Sequence, residues 1–229
     1  MMGTRIEGHV IITGAAGGLG EAVLDALVSA GATCHVPVRG AVPSTLAGRA
    51  GVVPIGSVDL ADEASVERLF ADLPPLVASI HLVGGYEAKP IAETTREVLD
   101  RQLSINLVTT FLSCREAIKA LRRSGGGRIV NVGARVSEVP MAGSAAYTAA
   151  KGAVAALTRA LAEEVRQEGI LVNAVAPSII DTPANRAAMP AANHDRWPKP
   201  AELAQAILWL ASTENALTSG AIVPVYGRA

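Results

Sequence analysis

Short apolar runs alternate with longer stretches of helical spacing along the whole chain. Val10–Ile12 is a first apolar run, and it ends in a glycine-rich turn. Leu19 to Ala30 then repeats apolar residues at helical spacing and stops at Gly31, a glycine placed where helices end. Thr33–Val38 and Val52–Ile55 read as the second and third strands, and a helix is predicted from Asp62 to about Asp72. Ser79–Val83 reads as a fourth strand ending at Gly84-Gly85, followed by a long helix from about Thr95 to Arg123. Arg128–Val132 is the fifth strand, about Ala145–Glu168 a second long helix, and Ile170–Ala176 the sixth strand. Pro200–Ala211 reads as a helix and Ala221–Val225 as a last strand.

Strand alternating with helix implies βαβ units, hence a parallel sheet covered on both faces. The strands are continuous apolar runs, as strands buried on both faces should be. The expectation is α/β: a doubly wound, Rossmann-type parallel sheet of about seven strands with helices on both faces. No composition shift or fixed-period repeat marks a second unit, so residues 1–229 read as one dinucleotide-binding and catalytic domain. The irregular stretch 178–199 carries Pro183, Pro190, Pro198 and Trp197. Its length predicts a lid over a substrate.

Composition sharpens this reading. Hydrophobic residues make up 50% of the chain and aromatics only 3%, so the core must be built from small aliphatic side chains. The net charge is −1 and like charges do not cluster, which argues against a nucleic-acid partner. Cys34 and Cys114 lie far apart in apolar contexts, and no ligand-spaced His or Cys group suggests a metal. The two thiols read as buried and free in a reducing compartment. No apolar signal precedes the first strand and no run of 18 apolar residues follows it, so a cytoplasmic protein without a membrane partner is expected.

Two patterns carry chemistry. Thr13-Gly14-Ala15-Ala16-Gly17-Gly18-Leu19-Gly20 joins the first strand to the first helix. A pyrophosphate needs bare backbone at such a turn and is drawn to the unpaired N–H groups of the helix start. A tight turn alone would explain one of these glycines, not all of them. At the end of the second strand a carboxylate would hold the ribose hydroxyls of NAD, but Val38-Arg39 stands there. Arg39 can pair with a 2′-phosphate, which favours NADP(H) over NAD(H). Asp59, after the third strand, could accept from the adenine amino group; Asp62 fits a helix N-cap better.

Tyr147-Thr148-Ala149-Ala150-Lys151 opens the helix after the fifth strand. A spacing of four puts Tyr147 and Lys151 on one helical face, where the ammonium should lower the tyrosine's pKa. A tyrosine so placed can protonate a carbonyl oxygen as hydride reaches its carbon.

Together, TGxxxGxG at Thr13–Gly20 and YxxxK at Tyr147–Lys151 resemble the short-chain dehydrogenase/reductase family, and the likeness runs nearly the full length. The resemblance implies that Asp59 and Leu60 contact adenine, and that Asn106 completes a proton relay through its backbone. It implies that Lys151 also holds the nicotinamide ribose. Val83 and Gly84 stand in the segment after the fourth strand, and Asn173–Pro177, with Ile180 and Thr182 beyond it, resembles the segment around the nicotinamide. The family often dimerises or tetramerises through its two long central helices, so a homodimer or homotetramer is implied, acting on a small-molecule substrate.

Three positions depart from the pattern. The family's catalytic Ser, thirteen residues before the Tyr, is Ala134 here. His81-Leu82-Val83-Gly84 replaces Asn-Asn-Ala-Gly, and Ser178 replaces a Gly after Pro177. Ser137 and Ser144 are near in sequence but off the family's spacing. Dihydropteridine reductase also lacks that Ser, and Gly84-Gly85, Gly133-Ala134-Arg135 and Asp181-Thr182-Pro183 are similar to it. The leading expectation is an NADP(H)-dependent reductase of a small carbonyl, quinone or imine-like compound, with quinonoid dihydropterin as an alternative substrate. A non-catalytic NADP(H)-binding regulator is the alternative of another class; Ala134 alone speaks for it.

Overall fold

The computed structural model describes residues 4–228, so the two ends of the expected domain 1–229 lie outside them. Seven strands form one parallel sheet in the order β3-β2-β1-β4-β5-β6-β7. They are β1 Gly8–Thr13, β2 Ala32–Pro37, β3 Val52–Ile55, β4 Leu76–His81, β5 Gly127–Val132, β6 Ile170–Pro177 and β7 Ile222–Val225. Strand order reverses between β1 and β4, and in such sheets ligands bind beyond the carboxyl ends of the strands at that reversal.

Helices cover both faces. α1 (Gly20–Ser29) and α7 (Pro200–Ala211) bury Val23, Leu24, Leu27, Leu203 and Ile207 against Val10, Ile12 and Ile80. On the other face α2 (Glu63–Ala71), α4 (Thr109–Arg123) and α5 (Ala145–Glu164) bury Val66, Phe70, Ala117, Leu121 and Ala162 against Ile11, Ile129 and Val172. Phe70 is the only Phe, Tyr or Trp among the largest fully buried side chains, so the core is indeed aliphatic.

Several boundaries differ from the sequence reading, each for a local reason. β4 begins at Leu76, directly after Pro74-Pro75, and ends at His81, although Leu82 N still donates to Thr13 O at 3.1 Å. The long helix expected over Thr95–Arg123 is α3 (Arg96–Leu103), a π-helical turn over Ser104–Val108, then α4. In that turn Thr109 N reaches back to Ser104 O, five residues away. α5 stops at Glu164, and a turn leads through Gly169, at φ +69°, into β6. The stretch 178–199 is not irregular throughout: it holds α6 (Pro183–Ala188), capped by Thr182, and a short 3₁₀ turn at His194–Arg196.

A buried polar chain fixes α5 to the sheet centre. His81 bonds Ser79 Oγ and Asn131 Oδ1, both at 2.8 Å, and Asn131 Nδ2 donates to Thr158 Oγ1 at 3.0 Å. Complete burial pushes the His81 imidazole down to about 4, so the ring is neutral and bonds without a charge to solvate. Among the described residues no helix is long and apolar enough to cross a membrane.

Candidate active site

The glycine turn is built so that only hydrogen fits at its tightest points. Gly14 has φ +77°, and a Cβ there would lie 2.8 Å from Val83 N. A Cβ on Gly20 would lie 2.3 Å from Gly14 O. Gly17 N donates to Gly14 O at 3.0 Å and Gly20 N to Gly17 O at 2.9 Å, closing the turn onto the start of α1. Gly18 faces Thr182, whose Cγ2 would lie 3.0 Å from an added Cβ. Leu19 packs against the α1/α7 core and opens that helix. The result is a bare, positively polarised backbone surface of the kind that accepts a pyrophosphate.

A cleft of about 570 Å³ runs from this turn along the ends of β2 and β3. Gly14, Ala16, Val38, Arg39, Asp59, Leu60 and Val83 line it, so the structure brings these expected cofactor-side residues to one cleft. Arg39 projects into solvent with 86% of its side chain exposed, and its guanidinium stands 3.5 Å from Asp59 Oδ2. Asp59 Oδ1 accepts from Ala61 N at 2.9 Å, while Asp62 caps α2 by accepting from Ser65 N at 2.7 Å.

Gly85, Tyr86 and Gln102 also line the cleft. Just behind it the second group of expected residues converges. A Cβ on Gly84 would meet Asn106 Oδ1 at 2.8 Å and Lys151 Nζ at 3.2 Å, so these three residues are in contact range only because residue 84 has no side chain. Asn106 is fully buried in the π-helical turn. Its side chain accepts from Gly85 N at 3.1 Å and donates to Gly85 O at 2.9 Å, which pins the loop after β4. Its main-chain carbonyl accepts from Thr110 Oγ1 at 2.8 Å.

Lys151 is 4% exposed and donates to Val132 O at 2.8 Å. Burial pulls its ammonium down to about 8. Tyr147, one turn earlier, is pushed up to about 12 by burial and by Tyr86, whose ring meets it edge-on at 4.9 Å. This corrects the expectation that the neighbouring ammonium lowers Tyr147: Lys151 directs a hydrogen bond to the strand, and desolvation of the phenol prevails. At neutral pH Tyr147 therefore holds its proton.

Pro177 ends β6, and Ile180 and Thr182 follow it. Thr182 Oγ1 accepts from Asn185 N at 3.2 Å and so starts α6, while Ile180 O accepts from Thr182 N and Asn185 Nδ2, both at 2.8 Å. These three residues lie outside the lining of the 570 Å³ cleft, as do Tyr147 and Lys151. Ala134 is buried in extended backbone with no hydroxyl to offer. Ser144 does not replace it, for its Oγ bonds Met141 O and Thr148 Oγ1. Among the described residues no group of three His, Cys, Asp or Glu could hold a metal.

Tyr86 and Tyr226 were not singled out by sequence. The chain has three tyrosines, and all three stand at the carboxyl edge of the sheet. Their scarcity was the available signal.

Comparison with known proteins agrees with this geometry. Residues 8–193 match the short chain dehydrogenase family. The chain is 30% identical to D-threitol dehydrogenase of Mycolicibacterium smegmatis over 97% of its own length and 93% of that protein's. It is 31% identical to carbonyl reductase (NADPH) 2 of Sus scrofa, over 94% and 93%. It superposes with a TM-score of 0.84 on the 3-ketoacyl-(acyl-carrier-protein) reductase from Brucella melitensis, solved with NADH, at 26% identity and 98% coverage of each chain.

Proposed function

The chain belongs to the short-chain dehydrogenase/reductase family of oxidoreductases, and on that premise we propose that it is an NADP(H)-dependent enzyme of small carbonyl, quinone or imine-like substrates. One observation carries the reading: a turn that only glycine fits leads to a protonated, largely buried Tyr147 with Lys151 and Asn106 converging behind it at Gly84. The cradle fits a dinucleotide, since Gly14 and Gly20 leave bare backbone where a Cβ would collide. When bound, the nicotinamide supplies or accepts the hydride.

The protein's own residues do the rest. Gly14, Ala16, Gly17, Gly18 and Leu19 hold the pyrophosphate, with Gly20 closing the turn. Arg39 takes the 2′-phosphate, and Asp59 and Leu60 flank adenine. Val83, Gly84, Pro177, Ile180 and Thr182 bound the nicotinamide end. Tyr147 donates the proton to the reduced atom, Lys151 holds the ribose and supplies positive charge, and Asn106 orders the path by which Tyr147 is reprotonated. One cytoplasmic domain over residues 1–229 does this, with 178–199 as its lid. It assembles as a homodimer or homotetramer; half-exposed Ile105, Val108 and Phe111 beside the central helices support that assembly.

Ala134 favours a second reading for the substrate. Without a second hydroxyl donor, an acceptor with a conjugated, electron-poor ring, such as quinonoid dihydropterin, suits the site better than a simple ketone. The test is a turnover screen with NADPH and NADH against pterins, quinones and ketones. Oxidation of NADPH by one class, lost in Tyr147→Phe, is the expected result. No turnover with any class would favour a regulator that only binds the cofactor.

A further inference from the structure

Three buried side-chain atoms among the described residues have no hydrogen-bond partner: Ser113 Oγ, Arg135 Nε and Ser137 Oγ. Two of them fall in one 3₁₀ turn, Arg135–Ser137, which begins directly after Ala134. Four arginines are withdrawn from full exposure: Arg49, Arg115, Arg128 and Arg135. Arg49 pairs with Asp25, Arg115 with Glu63, Glu67 and Glu116, and Arg128 donates to the carbonyls of Asn215 and Gly127. Among the described residues the Arg135 side chain has neither an ion-pair nor a hydrogen-bond partner.

What Arg135 has is a face. Its guanidinium lies over the Tyr226 ring, 5.3 Å from the centroid. Stacking satisfies the flat surface of the group, while in its plane the buried Nε–H has no acceptor and the Nη donors have no protein partner among the described residues. Idle donors in a half-buried cation are costly unless something takes them up. The main chain that carries the ring is held in place: Tyr226 O accepts from Ser178 Oγ at 2.8 Å, and Arg228 exchanges hydrogen bonds with Arg196.

The position is that of the reacting site. Val132, three residues before Arg135, gives its carbonyl to Lys151 Nζ. The turn packs on α5, which carries Tyr147, and Ser178 follows Pro177 at the end of β6. Arg135 thus lies between the turn that packs on α5 and Tyr226, which follows β7.

We infer that Arg135 is the anchor for a carboxylate on the substrate, so that this site takes oxo acids and hydroxy acids in preference to neutral ketones and alcohols. The inference rests on the function proposed above. A carboxylate accepts two parallel N–H bonds from the guanidinium fork, a geometry that lysine does not reproduce. It also meets the deficit left by Ala134. Where no second hydroxyl orients the carbonyl, a fixed contact at the substrate's far end orients it instead.

The test compares 4-oxopentanoate with its methyl ester, the same ketone with and without the charge, in the NADPH-loaded enzyme. Charge-assisted hydrogen bonds of this kind set the expected preference in kcat/KM at about 10- to 100-fold for the acid. In Arg135→Met, which keeps a long side chain on Tyr226, the acid-to-ester ratio should fall to near one, chiefly through KM of the acid. Arg135→Lys should keep only part of it, and this variant carries the comparison if Arg135→Met does not fold. Equal use of acid and ester by the unmutated enzyme, or a ratio that survives in both variants, overturns the inference. If neither ketone is reduced, that failure belongs to the proposed substrate class, and binding of pentanoate to the NADPH-loaded protein decides the anchor. A Kd at least tenfold weaker in Arg135→Met supports it; no pentanoate binding, or equal binding in the two proteins, overturns it.

Discussion

The proposed cofactor site has a cation at each end, in opposite surroundings. Arg39 stands in water beside an aspartate, while Lys151 is buried with a main-chain carbonyl as its hydrogen-bond acceptor. An exposed pair such as Arg39–Asp59 is worth little and is screened by salt. A buried ammonium is expensive, and its pKa of about 8 measures that expense. Under the proposed function, selection of the cofactor would rest on a weak, adjustable contact, and chemistry on a desolvated, fixed one. The comparison predicts large, salt-insensitive effects at the buried end and small, salt-sensitive effects at the exposed end.

The largest effect is expected from Tyr147→Phe. The ring and its edge contact with Tyr86 remain and only the proton is lost. Turnover should fall by ~10²–10⁴, the usual scale for a positioned acid, while the Kd for NADPH stays within about twofold. Retained turnover would move the proton donor elsewhere.

Lys151→Met should separate stability from activity. The folded-state pKa of about 8 lies below the ordinary 10.5, so the folded protein binds its proton more weakly than the unfolded chain. The penalty is in full force below about pH 8 and fades as pH rises toward 10.5. At pH 7 it amounts to about 3 kcal/mol at 1.36 kcal/mol per pKa unit. Removing the charge should therefore raise Tm at pH 7, with the gain shrinking at pH 10, while turnover collapses. In the unmutated enzyme reductive kcat/KM should decline above about pH 8, as Lys151 loses its proton. A Tm gain that does not depend on pH would show that packing, not charge, limits stability here.

The exposed and buried ends also differ in how far the sequence disclosed them. The glycine turn was legible because its function is main-chain geometry, and a residue without a side chain announces itself at Gly14 and Gly20. The αβ alternation followed from the apolar runs. The π-helical turn around Asn106 was not legible, since a shift from four to five residues per hydrogen bond leaves the apolar spacing almost unchanged. The direction of the Tyr147 shift was misjudged for a related reason. Helical spacing puts Lys151 one turn away, but the partner it bonds, Val132 O, comes from a different strand. Tyr86 and Arg135 matter through contacts made across long sequence separations, which no local pattern encodes.

Ala134→Ser probes the buried end more gently. The backbone at residue 134 is extended, at φ −161° and ψ 152°, a conformation any residue adopts, and one added oxygen is a small intrusion. A restored hydroxyl beside Tyr147 should raise kcat/KM for a simple ketone by about tenfold, part of the ~10²–10³ that such donors contribute where they are native. A quinone or quinonoid pterin should gain little, because its conjugated ring already draws electron density from the acceptor atom. Brisk ketone reduction by the unmutated enzyme, with no gain in the variant, would remove the reason for preferring such acceptors.

The smallest effect belongs to Arg39. Val38 offers no carboxylate to the ribose hydroxyls, so NADPH should bind more tightly than NADH, and the difference should come from the Arg39 contact with the 2′-phosphate. Arg39 is free to turn from Asp59 to a phosphate because its present pair is long, at 3.5 Å, and lies in water. The exposure that allows this also caps the gain. Arg39→Ala should cost about three- to tenfold in NADPH affinity and leave NADH affinity nearly unchanged, in line with the modest worth of exposed charge contacts. Raising salt from 0.05 M to 0.5 M should shrink the NADPH preference of the unmutated protein toward that of the variant, because at the higher salt screening acts over a few ångströms. Titrating both cofactors into both proteins at the two salt concentrations measures this. Equal affinity for the two cofactors in the unmutated protein at low salt would overturn the NADP(H) assignment, and a preference indifferent to salt would mean that the selecting contact is buried and is not Arg39.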